Sequence, residues 1–144
     1  MDNRPTFRTA GSLEDLIKAF IVRGIVFMDE QGVSYREEMD EHEHAALHIL
    51  GEIDGEPVAA ARIRFLGPWG KLERMAVRKE YRGRGYGSEL LRFAMEAARD
   101  RGVTQFKLHA QTAAQPFYAK HGFQPHGETF LEANIEHRLM IKQD

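Results

Sequence analysis

A glycine-rich segment near the middle of the chain has the composition of an anion-binding turn. It lies between a predicted strand and a predicted helix, and its residues are Arg82, Gly83, Arg84, Gly85, Tyr86, Gly87 and Ser88. Glycine lets the backbone approach a ligand closely, and the start of a helix presents unpaired N–H groups and a positive dipole end. The two arginines add charge-assisted donors. The chemistry that this turn predicts is binding of a pyrophosphate.

Two other known phosphate loops fit this segment poorly. A P-loop requires Gly-Lys followed by Ser or Thr, and the sequence contains no such tripeptide. A dinucleotide-binding fingerprint requires G-x-G-x-x-G in the first strand–helix unit, whereas these glycines are spaced G-x-G-x-G after several predicted strands. A glycine-rich turn without a ligand is the remaining alternative.

The composition limits what the elements around this turn can build. The chain has 144 residues, 42% hydrophobic and 29% charged, which is typical of one compact domain over residues 1–144. The net charge of −2 does not favour a general nucleic-acid binder, and the lack of cysteine excludes disulfides, zinc–thiolate sites and a cysteine nucleophile. No apolar run approaches the roughly 20 residues of a membrane span. Residues 1–8 lack the apolar core of a signal peptide, so a cytoplasmic location is expected.

The apolar pattern predicts strands and helices in the order β-α-β-β-β-α-β-α-β-β. The dipeptide Asp54-Gly55 between two apolar runs is typical of a type I′ hairpin turn. Residues 90–98 carry their apolar side chains at the spacing of one helix face. A first helix beginning at Ser12 is expected to end near Gly24. This order predicts an α/β fold with a mixed, mostly antiparallel central sheet and helices on both faces.

Two motifs and their order resemble the small bacterial members of the GNAT N-acetyltransferase superfamily. The turn Arg82 to Gly87 has the pattern Arg-x-x-Gly-x-Gly after a strand, Leu72 to Val77, that is similar to the family's fourth strand. The stretch Gln111 to Phe123 resembles a later signature that contains Phe-Tyr-x-Lys-x-Gly-Phe. The resemblance covers residues 47–142, and the chain before them matches only in element order. It implies the acyl-CoA N-acyltransferase fold with acetyl-CoA as cosubstrate.

The resemblance also implies roles for individual residues. The pyrophosphate would bind the backbone of residues 82–88. The pantetheine arm would pair with the backbone of Met75, Ala76 and Val77, where a bulge separates this strand from the next. An N–H of the same strand would face the thioester oxygen and stabilise the oxyanion. Tyr118 matches the family's acid for the departing thiolate, the alternative being an aromatic residue at the core edge whose hydroxyl meets a backbone carbonyl.

Three residues are candidates for the base that deprotonates the acceptor amine. Strand alternation places His137 on an apolar face, where either a specific partner or a satisfied core position is expected. It also resembles a histidine on the last strand of some family members. Glu73 lies two residues before Met75, is expected on the same strand face beside the thioester, and has a surface ion pair as its alternative. His109 is the third candidate, with an exposed strand position as its alternative.

An acidic segment, residues 29–43, holds seven carboxylates and one arginine. It is expected to be a solvated surface loop or irregular helix, or else to steer a cationic amine to the site. The acidic and histidine residues at 40–44 match no compact set of metal ligands, so no metal is predicted. Arg23 and Gln31 are expected to line the acceptor site.

These observations together predict an acetyl-CoA-dependent N-acetyltransferase. A primary amine of a small molecule or peptide would attack the thioester directly in a ternary complex. The alternative is a non-catalytic acyl-CoA-binding sensor or interaction module. No nucleic acid or membrane partner is expected. The edge strands near the C-terminus would allow a homodimer, and a monomer is equally compatible.

Overall fold

The fold is organised around a seven-stranded sheet, described by a computed structural model over residues 4–144. The order of the strands across the sheet is β1-β2-β3-β4-β5-β7-β6. β4 and β5 are parallel, whereas the other neighbouring pairs are antiparallel. The strands are β1 (Thr6–Thr9), β2 (Leu47–Ile53), β3 (Glu56–Leu66), β4 (Trp69–Val77), β5 (Gln105–Gln111), β6 (Gln124–Glu132) and β7 (Ile135–Gln143). The predicted mixed, mostly antiparallel sheet is confirmed.

Within residues 4–144, four α-helices accompany the sheet: α1 (Leu13–Arg23), α2 (Tyr35–Glu38), α3 (Tyr86–Arg99) and α4 (Gln115–Lys120). The hydroxyl of Ser12 caps α1 by accepting from the N–H of Asp15, as the sequence predicts. The α-helix ends at Arg23, which agrees with the expected end near Gly24, but the chain continues beyond it as a π-helical turn, Gly24–Glu30. Gly24 keeps helical angles and its N–H bonds to the carbonyls of α1, so nothing interrupts the hydrogen-bond ladder. Within residues 4–144, no helix has the length and apolar character needed to cross a bilayer.

The two faces of the sheet carry different helices, which confirms the predicted layers. α1 buries Ala19 and Val22 against Ala60 and Ala76 of the sheet. On the opposite face, the apolar side of α3 packs into the main core, which Phe106 and Leu108 of β5 share. Burial of these side chains supplies most of the driving force that fixes the helices on the sheet.

The hairpin between β2 and β3 forms at the predicted dipeptide. Asp54 and Gly55 have φ values of 50° and 82°, as a type I′ turn requires. The connection between β6 and β7, for which the sequence predicted no turn type, also has two successive residues with positive φ. They are Ala133 and Asn134, with φ values of 50° and 61°. This second turn sets the ends of β6 and β7 beside the candidate site.

β4 separates from β5 partway along its length, and this opening positions the site. The parallel pairing joins Trp69–Leu72 to Gln105–Leu108 and then stops. Just beyond, Arg74 has a φ of 54° and the register with β3 shifts, which is the geometry of a β-bulge. The backbone after the bulge therefore pairs with β3 on one side only.

Candidate active site

Two cavities meet at the opened end of β4. The larger has a volume of about 590 Å³ and is bordered by the π-helical turn, α2 and the strands β4, β5 and β7. The smaller, of about 100 Å³, lies against α3 and α4, where Gly87 and Phe117 are among its lining residues. Four residues line both cavities: Met75, Ala76, Val77 and Tyr118. The opening in the sheet thus joins a space beside the glycine-rich turn to a space on the opposite face.

The glycine-rich turn leads directly into α3. Gly85 is the N-cap of the helix with a φ of 83°, and Gly83 has a φ of 80°. A Cβ atom added at either glycine would meet no other atom within 4 Å, so the turn faces open space. The first N–H groups of a helix have no partner within the helix and carry its positive dipole end. This geometry can hold an anion such as a pyrophosphate.

Arg82 and Ser88 of the turn contact other parts of the protein. The guanidinium of Arg82 forms two hydrogen bonds with Glu30, at 2.6 and 2.7 Å, and its Nε donates to the carbonyl of Val77 at 2.8 Å. The π-helical turn brings Glu30 within reach of this guanidinium. The hydroxyl of Ser88 lies 3.0 Å from Nε2 of His121, next to the end of α4.

Tyr118 lies where the two cavities meet. Its side chain is buried, and burial raises the pKa of its hydroxyl to about 12. No side chain or backbone group of residues 4–144 forms a hydrogen bond with this hydroxyl, so the alternative in which it meets a backbone carbonyl is not what the structure shows. The phenol is therefore protonated at neutral pH and able to donate.

His137 lines the larger cavity from β7 and is buried. Its Nδ1 lies 2.6 Å from the carbonyl oxygen of Ile135, and its Nε2 lies 4.0 Å from a carboxylate oxygen of Glu132. The ring stacks on Phe130, with centroids 6.1 Å apart. In register, His137 is paired with Gln111 of β5. Nδ1 thus has a backbone partner, whereas Nε2 lies on the side of Glu132 without a hydrogen bond to it, and the residue lines the cavity.

Glu73 also lines the larger cavity, but its strand face differs from the expected one. The bulge at Arg74 interrupts the alternation, so Glu73 pairs with Arg62 and shares a face with Ala76, not Met75. Its carboxylate lies 2.7 Å from Arg62 and 3.0 Å from Lys71. Although burial alone would raise it, the pKa of Glu73 is lowered by these two cations. The carboxylate is held as an anion within an ion-pair network.

His109 and Glu132 complete the polar wall of the larger cavity. His109 lies on β5, and its Nδ1 is 3.3 Å from the Glu132 carboxylate, which a hydrogen bond from His109 keeps at a lowered pKa. The ring of His109 also contacts Phe130 edge to face. Glu132 was not singled out by the sequence, because its neighbours belong to strands that are distant in the chain. The alternating pattern at the end of β6 gave no signal for it.

The prediction that the whole acidic segment is a solvated surface is wrong. Arg23 is fully buried and lies 2.8 Å from Glu38 and 2.7 Å from Glu43. It was expected to line the acceptor site, but it is not among the residues that line the larger cavity. Asp40 bonds to Arg62 at 2.7 Å and to Arg74 at 3.3 Å. The segment folds inward because arginines of α1, β3 and β4 neutralise its carboxylates.

Two further features of this region concern its ligands. Gln31 lines the larger cavity and accepts a hydrogen bond from Gln111 at 3.0 Å. In the described part of the chain, residues 4–144, no group of three or more His, Asp or Glu side chains is arranged to hold a metal ion. Asp40 is paired with Arg62 and accepts from the N–H of His42, and the N–H of Asp40 donates to Glu43.

Comparisons with known proteins agree on one family. The model of the acetyltransferase (GNAT) family matches residues 14–123. The uncharacterized N-acetyltransferase YjcF of Bacillus subtilis (strain 168) is 46% identical over 131 residues, covering 90% of this chain and 93% of that protein. The crystal structure of an acyl-CoA N-acyltransferase from Pseudomonas aeruginosa has a TM-score of 0.86 and 27% identity, covering 96% of this chain and 97% of that one.

A more distant structure shares the fold alone. The PaiA N-acetyltransferase from Thermoplasma acidophilum, solved in complex with coenzyme A, has a TM-score of 0.75 and 17% identity. The match covers 97% of this chain and 99% of that chain. The similarity therefore extends over nearly the whole of both chains.

Proposed function

Because this chain belongs to the GNAT acetyltransferase family, we propose that it transfers an acetyl group from acetyl-CoA to a primary amine of a small molecule or peptide. The observation that carries the proposal is the opening between β4 and β5, which joins the two cavities at Tyr118. Such an arrangement lets two substrates approach one point from opposite faces of the sheet. Holding both in place converts a bimolecular reaction into an oriented one.

The smaller cavity and the glycine-rich turn fit the cosubstrate. The N-terminal amides of α3 would hold the pyrophosphate, and the open turn leaves room for it. The backbone of Met75, Ala76 and Val77 would pair with the amides of the pantetheine arm, as a strand pairs with a sheet edge. A structural neighbour with the same fold is described as a coenzyme A complex, which supports this use of the fold.

The chain offers groups for both ends of the reaction. A backbone N–H of β4 past the bulge would stabilise the oxyanion of the tetrahedral intermediate. Tyr118 would protonate the thiolate as it departs, because its phenol is protonated and lies where the cavities meet. Attack by the amine itself needs no acylated enzyme, which is consistent with a sequence that contains no cysteine.

His137 suits the role of base better than Glu73. Base catalysis needs an electron pair that can accept a proton at neutral pH. Glu73 is bound to Arg62 and Lys71, and its lowered pKa makes the carboxylate a poor proton acceptor. His137 faces the same cavity and is ion-paired to no arginine or lysine among residues 4–144. We therefore assign it the deprotonation of the amine.

The test is release of free thiol from acetyl-CoA in the presence of a panel of primary amines. Amine-dependent release, with the acetylated amine identified by mass spectrometry, is the expected result. Calorimetry with acetyl-CoA is run on the same protein. Tight binding of acetyl-CoA without turnover of any amine would contradict the proposal and support the non-catalytic sensor.

A further inference from the structure

Glu132 has a position that the proposed roles leave unused. It ends β6 just before the tight turn at Ala133 and Asn134, and it lines the larger cavity. Because β7 lies between β5 and β6 in the sheet, the carboxylate of Glu132 on β6 lies near one histidine on β5 and one on β7. His109 lies 3.3 Å from it and His137 lies 4.0 Å from it.

The hydrogen bond of His137 to its own strand fixes how its ring can act. With Nδ1 2.6 Å from the carbonyl of Ile135, that nitrogen must carry the proton, since a carbonyl only accepts. Nε2 then holds the free electron pair on the side of Glu132. The 4.0 Å between Nε2 and the Glu132 oxygen is too long for a hydrogen bond. It leaves room for a donor nitrogen within about 3 Å of both atoms.

The charges around this gap favour a cationic occupant. Of the other carboxylates that line the cavity, Glu38, Asp40 and Glu73 are bonded to arginine or lysine, and that of Glu37 accepts a hydrogen bond from the Ser34 hydroxyl. The groups that face His137 are Gln111 and His109 from β5, and Phe130 and Glu132 from β6. Lys71 on β4 acts on Glu132 at longer range, but it is bonded to Glu73 at 3.0 Å. Glu132 is therefore the anion that is next to His137.

We propose that Glu132 and His137 together receive the acceptor as an ammonium ion, with Glu132 holding its charge and His137 Nε2 taking its proton. This inference rests on the proposed function. The freed amine nitrogen bonds to the acyl carbon, and the C–S bond breaks. Tyr118 donates its hydroxyl proton to the departing thiolate, and the second proton of the nitrogen replaces it on the phenol oxygen. The net products are the amide, the free thiol and one proton, which the His137 imidazolium returns to solvent.

The test compares Glu132→Gln with Glu136→Gln. Glu136 is exposed and is adjacent to His137 in β7, so its side chain points to the opposite face and the variant makes the same charge change. For Glu132→Gln we expect kcat/KM for the amine to fall about tenfold or more, mainly through a higher KM for the amine.

The remaining measurements separate this inference from a structural effect. The Kd for acetyl-CoA and the thermal midpoint of Glu132→Gln should stay as in the Glu136→Gln protein. In a His137→Gln background, adding Glu132→Gln should lower kcat/KM for the amine less than it does in the wild-type background, because the two residues act on the same ammonium ion. His109→Gln should retain more of kcat than His137→Gln, since His109 faces Glu132 without being the base.

Three results would overturn the inference. If kcat/KM and KM for the amine are the same in Glu132→Gln as in Glu136→Gln, this inference is overturned and the proposed function is unaffected. A greater loss of kcat in His109→Gln than in His137→Gln overturns the assignment of the base. A wild-type protein that turns over no amine overturns both this inference and the proposed function.

Discussion

At the scale of single residues, Tyr118 shows how burial prepares a side chain for one role. A phenol with a pKa of about 12 is not a base at neutral pH, but it can donate a proton to an anion that forms beside it. Removing the hydroxyl while keeping the ring should therefore affect the departure of the thiolate and leave packing intact.

We predict that Tyr118→Phe lowers kcat for thiol release by about 10²-fold. The Kd for acetyl-CoA and the stability should change little, because the ring keeps its contacts with Phe117 and Phe123. Tyr35→Phe, which removes the hydroxyl of an exposed tyrosine, is the matched control and should retain full kcat. Full activity in the Tyr118→Phe protein would remove this residue from the mechanism.

Sequence patterns located some of the site residues and missed others for a physical reason. The glycine-rich turn and Tyr118 lie in local motifs, so their neighbourhood is fixed by residues close in the chain. Glu132 acquires its role from His109 and His137, which come from β5 and β7. Strand alternation placed Glu73 on the wrong face, because a bulge at an arginine with positive φ has no clear sequence signal.

At the scale of elements, the two ends of α3 provide a controlled comparison of glycines. Gly85 precedes the helix and Gly102 follows it, with φ values of 83° and 87°. A Cβ atom at either position would meet nothing within 4 Å. The backbone strain of a substitution is therefore similar at both ends, while only Gly85 belongs to the proposed phosphate turn.

We predict that Gly85→Ala and Gly102→Ala each lose about 1 to 2 kcal/mol of stability from the left-handed backbone. Only Gly85→Ala should also weaken acetyl-CoA binding, by tenfold or more in calorimetry, because its methyl group would take up open space at the proposed pyrophosphate site. Gly85→Val should abolish binding. Equal affinities for acetyl-CoA in the Gly85→Ala and Gly102→Ala proteins would contradict a pyrophosphate site at this turn.

The acidic segment is joined to α1 by an arginine that is completely buried. Arg23 bonds to Glu38 and Glu43, so removing its charge leaves two inward-facing carboxylates without this partner. We predict that Arg23→Met loses about 3 to 5 kcal/mol in urea unfolding. Asp144→Asn, which breaks an exposed pair with Arg99, should lose less than about 1 kcal/mol.

A triple variant tests whether the charges cause this loss. Adding Glu38→Gln and Glu43→Gln to Arg23→Met removes the carboxylates that the arginine neutralised, and it should restore part of the stability. No recovery in the triple variant would indicate that packing of the long side chain matters more than its charge. Composition alone predicted a solvated segment, because its arginine partners lie in other elements.

At the scale of the whole molecule, local patterns predicted the order of elements but not every neighbour in the sheet. Apolar periodicity and the Asp54-Gly55 turn predicted seven strands and three of the four helices. The resemblance supplied the opening between β4 and β5. Placement of β7 between β5 and β6 is a long-range pairing, and that pairing creates the wall on which His137 and Glu132 meet.

Ion pairs in separate parts of the molecule should make its stability fall in acid. Arg8 lowers the pKa of Asp15 to about 2, and Arg99 does the same for Asp144. Although burial opposes it, Arg62 lowers the pKa of Asp40 to about 2 as well. Each folded pKa lies below the unfolded value of about 4, so the unfolded chain binds more protons between these limits. The stability from these carboxylates is present above about pH 4 and is lost as the pH falls toward 2.

We predict that the free energy of unfolding in urea decreases steadily from pH 4 to 2. Asp40→Asn should lower the stability at pH 7 and flatten this decrease, because the variant has no proton to gain at position 40. Asp54→Asn, in the exposed hairpin turn, should keep the slope of the wild-type protein. Equal slopes for Asp40→Asn and Asp54→Asn would show that the Asp40–Arg62 pair contributes nothing to the acid sensitivity.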